Sequence, residues 1–171
     1  MDAMAKMTPS TKTLMGINGG YFDPKDRPLG LLITEGRQIN RVRRADWGVL
    51  TIRKKRARLV HTRAYKPRKR TEFAIQAGPR LVVKGKELTL KPQWARRTAI
   101  GIRDGGKTLI VVVVDGRMLT SSLATHFRTT FGCDEALNLD GGSSTQLWTE
   151  LPGIKNVRGL PVANGVFLVP R

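Results

Sequence analysis

The segment best equipped for chemistry is Asn138-Leu139-Asp140-Gly141-Gly142-Ser143-Ser144, where an amide, a carboxylate, two glycines and two hydroxyls follow one another. A tight hairpin needs only two turn residues, so this density of polar groups exceeds what chain reversal demands. Glycine admits positive φ and close backbone approach, and the main-chain N–H groups of Gly141, Gly142, Ser143 and Ser144 are expected to form an anion-binding nest beside the Asp140 carboxylate. Four other places set small polar residues against glycine: Asn18-Gly19-Gly20, Gly78-Pro79-Arg80, Asp115-Gly116-Arg117 and Asn164-Gly165. Each alone reads as a turn, although the same residues also suit a loop that cradles a ligand.

A second motif misleads. Residues 101–108, GIRDGGKT, satisfy the phosphate-loop pattern G-x-x-x-x-G-K-[ST], and LIVVVVD after them imitates the apolar strand ending in Asp of a nucleotidase. A phosphate loop works by wrapping phosphate at a helix N-terminus, so a helix must follow it. Here six apolar residues follow Thr108, four of them consecutive valines, which are poor helix formers and show no helical period. The segment is predicted to be a hairpin turning at Asp104-Gly105, with no nucleotide site.

The positioning elements follow from periodicity and punctuation. Strands are predicted over Met15–Ile17, Leu29–Thr34 with a turn at Glu35-Gly36, Val49–Arg53 and Ala57–Thr62 around Lys54-Lys55-Arg56, and in shorter runs over 73–76, 80–83 and 86–90. Thr98–Ile102 and Thr108–Val114 form the hairpin above, the second arm being apolar throughout and so expected as a central strand buried on both faces. Leu123, Phe127 and Phe131 recur every four residues, predicting a helix capped by Ser121 or Ser122 and ended by Gly132. Residues 136–139 are a short strand delivering Asp140, with 143–149 as its expected hairpin partner, and 161–169 hold a last strand. Residues 2–14 read as a helical or irregular opening broken at Pro9. Many short strands with one or two packed helices make an α+β fold, a mixed and largely antiparallel sheet in one domain over 1–171, with an upstream strand expected to lie outside it.

Composition limits the partners. The 171 residues carry 31 Lys+Arg against 13 Asp+Glu, a formal charge of +18, which points to an anionic partner. Fourteen of those cations and a single acid, Asp46, lie between Arg37 and Arg70, interleaved with Trp47 and Tyr65, yet no helix-turn-helix or RNA-recognition signature surrounds them. A solvated basic surface explains the segment as well as a nucleic-acid site does. One cysteine, Cys133, and two histidines, His61 and His126, exclude an intrachain disulfide and the usual structural zinc site; His126 reads as helix surface and Cys133 as core. No metal ligand set has diagnostic spacing, and no cofactor is expected. The longest apolar run, Leu109–Val114, is six residues, too short to cross a bilayer, and residues 1–10 lack the apolar stretch of a signal peptide.

Six segments in order carry a family resemblance: INGGYFD (17–23), AGPRLV (77–82), RRTAIGI (96–102), VDGR (114–117), ALNLDGGSST (136–145) and NGVFL (164–168). In these the chain resembles the phosphodiester glycosidase domain family, related to the enzyme that uncovers mannose 6-phosphate by removing N-acetylglucosamine. The family's turn often reads LDGGGSS; this chain has one glycine fewer, which bears on the nest around Ser143 and Ser144.

The resemblance implies hydrolysis of a sugar joined through its anomeric carbon to phosphate, releasing free sugar and a phosphomonoester from a phosphorylated glycan or sugar-phosphodiester polymer. It implies Asp140 as a catalytic carboxylate, with the roles of nucleophile, base and electrostatic stabiliser all open, and Asp115 as a second one, against its plain reading as a turn. Arg80 and Arg97 are planar forks suited to phosphate oxygens; Thr98, Ser143 and Ser144 are expected to donate to phosphate, and Asn18, Gly19 and Asn164 to meet the sugar. Trp94 is a candidate for stacking on a sugar ring, and Trp148 reads as core. The family's members act outside the cytoplasm, which implies a periplasmic or secreted setting. The alternative is a basic domain that binds nucleic acid or another polyanion without turnover.

Overall fold

The computed structural model describes residues 7–9 and 12–170. Of the opening expected over 2–14, residues 2–6, 10 and 11 lie outside the described residues, and the rest of it contains no helix.

Three two-residue turns organise the first half. Glu35-Gly36 joins β2 (Leu32–Thr34) to β3 (Arg37–Asn40), Lys54-Lys55 joins β4 (Gly48–Arg53) to β5 (Arg56–His61), and Lys84-Gly85 joins β7 (Arg80–Val83) to β8 (Lys86–Glu87). Both residues of each turn have positive φ, between 49° and 79°. That is the turn whose twist matches paired strands. Lys54 enters this region without glycine's freedom, and its N–H is held by the Glu72 carboxylate at 2.8 Å. With β6 (Phe73–Ala77), the first two of these hairpins form a sheet ordered β3-β2-β6-β4-β5.

The second sheet runs β10-β9-β11-β7-β8, with β9 (Trp94–Arg103), β10 (Thr108–Leu119) and β11 (Glu135–Asn138). A third, β12-β1-β13, joins β1 (Met15–Asn18), β12 (Leu147–Thr149) and β13 (Gly165–Leu168). Every registered pair is antiparallel. The helix α1 (Thr120–Thr125) continues through a π-turn (His126–Thr130) to Gly132 at φ 62°.

The second sheet is the middle layer. One face meets the other two sheets in a core of Ile17, Leu50, Leu59, Ile75, Ile100, Leu137 and Leu147. The other packs Leu81, Ala99 and Ala136 against Leu123, Ala124 and Phe127 of the helix. Residues alternate between the two cores along a strand, as the two-residue period requires: Val111 and Val113 join the first, Val112 and Val114 the second.

Four expectations are corrected. The valine run is not a central strand: β10 lies at the edge of its sheet, and Val111–Val114 are each half-buried. An all-apolar strand reports two covered faces, not its place in the sheet order. Residues 143–149 are not the hairpin partner of 136–139, because β11 sits between β9 and β7 while β12 pairs with β1. Neither Ser121 nor Ser122 caps the helix: Leu119 is in the cap position, with no side-chain cap bond. The strands divide among three sheets. The GIRDGGKT segment is the end of β9, a 3₁₀ turn and the start of β10, with no helix after it, and Thr108 Oγ1 donates to the Asp104 carboxylate at 2.6 Å. Cys133 is buried, Trp148 half-buried and His126 exposed.

Gly101 is the tightest joint between helix and sheet. A Cβ there would stand 2.5 Å from Cys133 Sγ and 2.6 Å from the Phe127 ring. Gly101→Ala is therefore expected to destabilise by about 1–3 kcal/mol. Thermal unfolding should register a midpoint lower by about 2–4 °C for each kcal/mol, and an unchanged midpoint would contradict this packing.

A candidate active site where three sheets meet

Strand ends from all three sheets converge on Asp140. At the end of β1 the buried Asn18 amide makes three bonds: Nδ2 donates to the Asp140 carbonyl at 2.7 Å, while Oδ1 accepts from Thr98 Oγ1 at 2.6 Å and from the Gln146 N–H at 3.1 Å. The Asp140 N–H donates to the Gly19 carbonyl at 3.1 Å. Asn164 clamps the next step of the chain, accepting from the Gly20 N–H at 2.8 Å and donating to the Gly20 carbonyl at 3.2 Å. Gly19 must be glycine, because a Cβ would lie 2.1 Å from Asn164 Oδ1.

The structure thus brings Asn18, Gly19, Thr98, Asp140 and Asn164 together, as the motifs led us to expect, but in unequal parts. Asn18, Thr98 and Asn164 are buried, and their side chains bond within the chain. They build the support beneath Asp140 rather than a surface for a sugar.

Asp140 itself is half-buried. Its Oδ1 accepts from the Gly141 N–H at 2.8 Å, and its Oδ2 has no hydrogen-bond partner among the described residues. The chain then turns through a 3₁₀ segment (Gly142–Ser144), where Gly142 has φ 62° and the Ser144 and Thr145 N–H groups bond back to Gly141 and Gly142. Two N–H groups of the turn are therefore used internally, besides that of Gly141. The hydroxyls of Ser143 and Ser144 bond to none of the described residues.

Asp140 opens onto a cleft of about 530 Å³ lined also by Tyr21, Arg43, Asp46, Trp47, Gly78 and Pro79. The Tyr21 hydroxyl donates to the Gly78 carbonyl, and its ring lies 4.9 Å from Trp47 at 42°. Burial first, and the Asp140 charge second, push the Tyr21 phenol above its ordinary value, so it is a neutral donor at neutral pH. Gly78 carries a cis bond to Pro79, and a Cβ at Gly78 would stand 2.5 Å from the Trp47 ring.

Arg43 is held from behind by Gln76. This buried amide accepts from the Arg43 and Leu31 N–H groups, both at 2.9 Å, and donates to the Arg43 carbonyl at 2.8 Å and Thr62 Oγ1 at 3.0 Å. The Arg43 guanidinium lies 6.0 Å from the centre of the Trp47 ring, within reach of a cation–π contact. Asp46 accepts from His61 Nε2 at 2.7 Å, and His61 Nδ1 accepts from the Arg63 N–H at 3.0 Å, which assigns the imidazole proton to Nε2. His61, ahead of the charges of Arg80 and Arg63, holds the Asp46 carboxyl below its usual range.

The remaining candidates divide. Arg80 is half-buried, its guanidinium free of hydrogen bonds to the described residues and its charge felt at Asp46. Arg97 is buried, donating from Nε to the Met118 carbonyl at 3.2 Å and from Nη2 to the Gln93 carbonyl, and burial lowers its pKa. Two prongs of its fork are therefore taken by backbone. Asp115 is not brought into the cleft. The β9–β10 register shifts between Val114 and Met118, leaving Asp115 exposed and paired with Arg96 Nη2 at 2.6 Å. Asp46, itself exposed and bonded to His61, is the second carboxylate lining the cleft. Trp94 is 57% exposed and does not line it.

Tyr21, Arg43, Trp47 and Gln76 were not singled out from sequence as site residues. Tyr21 sits inside INGGYFD, and Gln76 is the one polar residue of the apolar strand FAIQA, so each left a trace. Among the described residues no group of three or more His, Cys, Asp and Glu gathers to hold a metal.

The profile of the phosphodiester glycosidase family matches residues 11–169. Among solved structures, the zebrafish N-acetylglucosamine-1-phosphodiester alpha-N-acetylglucosaminidase catalytic domain, auto-inhibited by its pro-peptide, superposes with a TM-score of 0.76 at 20% identity, over 94% of this chain and 64% of that one. A hypothetical protein from Synechocystis superposes with a TM-score of 0.56 at 15% identity, over 96% of this chain and 52% of that one. The chain thus spans less than two thirds of either. No curated protein sequence matches.

Two predictions test this geometry. Asn18→Ala strands three buried groups at once and is expected to lower stability by about 2–4 kcal/mol in denaturant unfolding; a variant of unchanged stability would show that the amide is not structural. Because folding raises the Tyr21 pKa above its ordinary 10, its contribution is fully present below about pH 10 and is lost as pH rises through the folded-state value. The thermal advantage of wild type over Tyr21→Phe should therefore narrow above about pH 10, and a constant gap would refute it.

Proposed function

The chain belongs to the phosphodiester glycosidase family, and from that premise we propose that it hydrolyses the bond between an anomeric carbon and a phosphodiester oxygen, releasing free sugar and a phosphomonoester. The observation that carries this reading is the Oδ2 of Asp140, without a hydrogen-bond partner among the described residues, in a cleft that Arg43 and Trp47 also line.

The chemistry suits those residues. A phosphomonoester is a good leaving group, so breaking the C1–O bond depends less on protonating it than on stabilising positive charge at the sugar and delivering water. A carboxylate fixed through one oxygen and free at the other does this as base, nucleophile or electrostatic partner. The permanent charge of the substrate phosphate is matched by Arg80, whose fork is open, and by Arg43. Tyr21 and Trp47 offer aromatic surface to the sugar. Gly141, Gly142, Ser143 and Ser144 form the turn that aims Asp140, and the two serine hydroxyls remain donors to phosphate. Arg97 acts from beneath, through the backbone it braces. A periplasmic or secreted setting goes with this reading, since surface glycans carry such linkages.

The test is release of N-acetylglucosamine from a synthetic N-acetylglucosamine-1-phosphodiester. Asp140→Asn, which keeps the shape and removes the charge, is expected to lower kcat at least about a hundredfold with stability retained. Wild-type turnover by that variant would remove Asp140 from the mechanism, and no hydrolysis by wild type would favour a binding domain without turnover.

A further inference from the structure

A groove of about 560 Å³ adjoins the cleft, sharing Arg43 and Asp46 with it and continuing along Arg44, Thr62 and Arg63. Its two walls are tied together. Thr62 donates from both its N–H and its Oγ1 to the Trp47 carbonyl at 2.9 Å, Gln76 bonds Arg43 to Thr62, and His61 bridges Asp46 to the Arg63 N–H. Asp46, the only carboxylate lining it among the described residues, already accepts a hydrogen bond from His61. Arg44 and Arg63 form no ion pair among the described residues, and three arginines line the groove against one carboxylate, Asp46, at which the Arg63 charge is felt.

We propose that this groove is a second anion subsite, and that the preferred substrate is a glycan carrying at least two phosphodiester charges along its length, one in the cleft and the next against Arg44 and Arg63. The inference rests on the glycosidase reading of the cleft and adds the class of aglycone. Three features favour it. The groove shares Arg43 and Asp46 with the cleft, so a chain that leaves the cleft past these two residues meets it. Its walls are joined by the hydrogen bonds of Thr62, Gln76 and His61, so less ordering of the backbone opposes binding. Its lining holds three arginines and no aromatic ring among the described residues, whereas proteins that bind single-stranded nucleic acid stack bases on aromatic platforms. The charge cluster of the sequence thereby acquires a task at its Arg43–Arg63 portion.

The experiment compares two substrates on the full chain: an alkyl diester of N-acetylglucosamine-1-phosphate, with one charge, and an oligomer of N-acetylglucosamine-1-phosphate repeats, with several. The oligomer is expected to have the lower KM. The paired substitutions Arg44→Gln and Arg63→Gln should raise that KM about tenfold and leave the KM of the single-charge diester unchanged, and added salt should raise the KM of the oligomer more steeply than that of the diester. Equal KM values for the two substrates, or the same rise for both in the variant, would overturn the subsite while leaving the glycosidase reading intact. Calorimetric binding of the oligomer to Asp140→Asn protein provides an arm that needs no turnover. Loss of binding on adding the two Gln substitutions upholds the groove even if wild type hydrolyses neither substrate. Binding untouched by those substitutions, or tighter binding of a single-stranded oligonucleotide of equal charge, would overturn it.

Discussion

The structure depends on one buried amide. Asn18 has no contact with solvent, and its three hydrogen bonds fasten the end of β1 to Thr98 on β9 and to both flanks of the Asp140–Gln146 turn. A buried polar group must find partners or cost free energy, and here the partners belong to different sheets. The amide therefore sets how the third sheet docks on the middle one. Asn164 repeats the device one step along, holding Gly20 by both its main-chain groups, which leaves Gly19 room for no side chain. Asp140 is aimed by this scaffold and by its own bond to Gly141.

The middle sheet explains why the scaffold is stiff. With one face against two sheets and the other against the helix, β9 carries Ile100 and Ile102 into one core and Ala99 and the bare face of Gly101 toward Phe127. Packing on both sides resists the shifts that would misplace Thr98, which lies on the same strand. The edge valines of β10 belong to this arrangement: they cover the margins of two cores and remain half-buried, since nothing pairs beyond them among the described residues.

The charge takes on meaning only in space. Arg43 and Trp47 belong by sequence to the basic segment, yet Gln76 pulls their loop against the cleft that Asp140 faces. The same segment includes the β4–β5 turn, whose lysines are exposed. One run of cations is thereby divided between a solvated turn and the rim of a site. Within that rim Asp46, exposed and bonded by His61, lines the cleft, and Asp115 does not.

Local signals carried the α+β class, the turn at Glu35-Gly36, the β9–β10 hairpin with no nucleotide loop, the helix over Leu123 and Phe127, and the prominence of the turn after Asp140. These are set by residues within a few positions of one another, through φ preferences and hydrophobic period, so the chain alone determines them. What only tertiary structure decided is which strands are neighbours and which polar groups are consumed in joining them. Asn18 and Asn164 look like ligand residues in sequence and prove to be internal fasteners, because their partners lie 122 and 144 positions away. Tyr21, Arg43, Trp47 and Gln76 meet the site only because three sheets fold onto one another. A hydrogen-bonding group is free for a ligand only if no distant part of the chain reaches it first, and no local pattern records that.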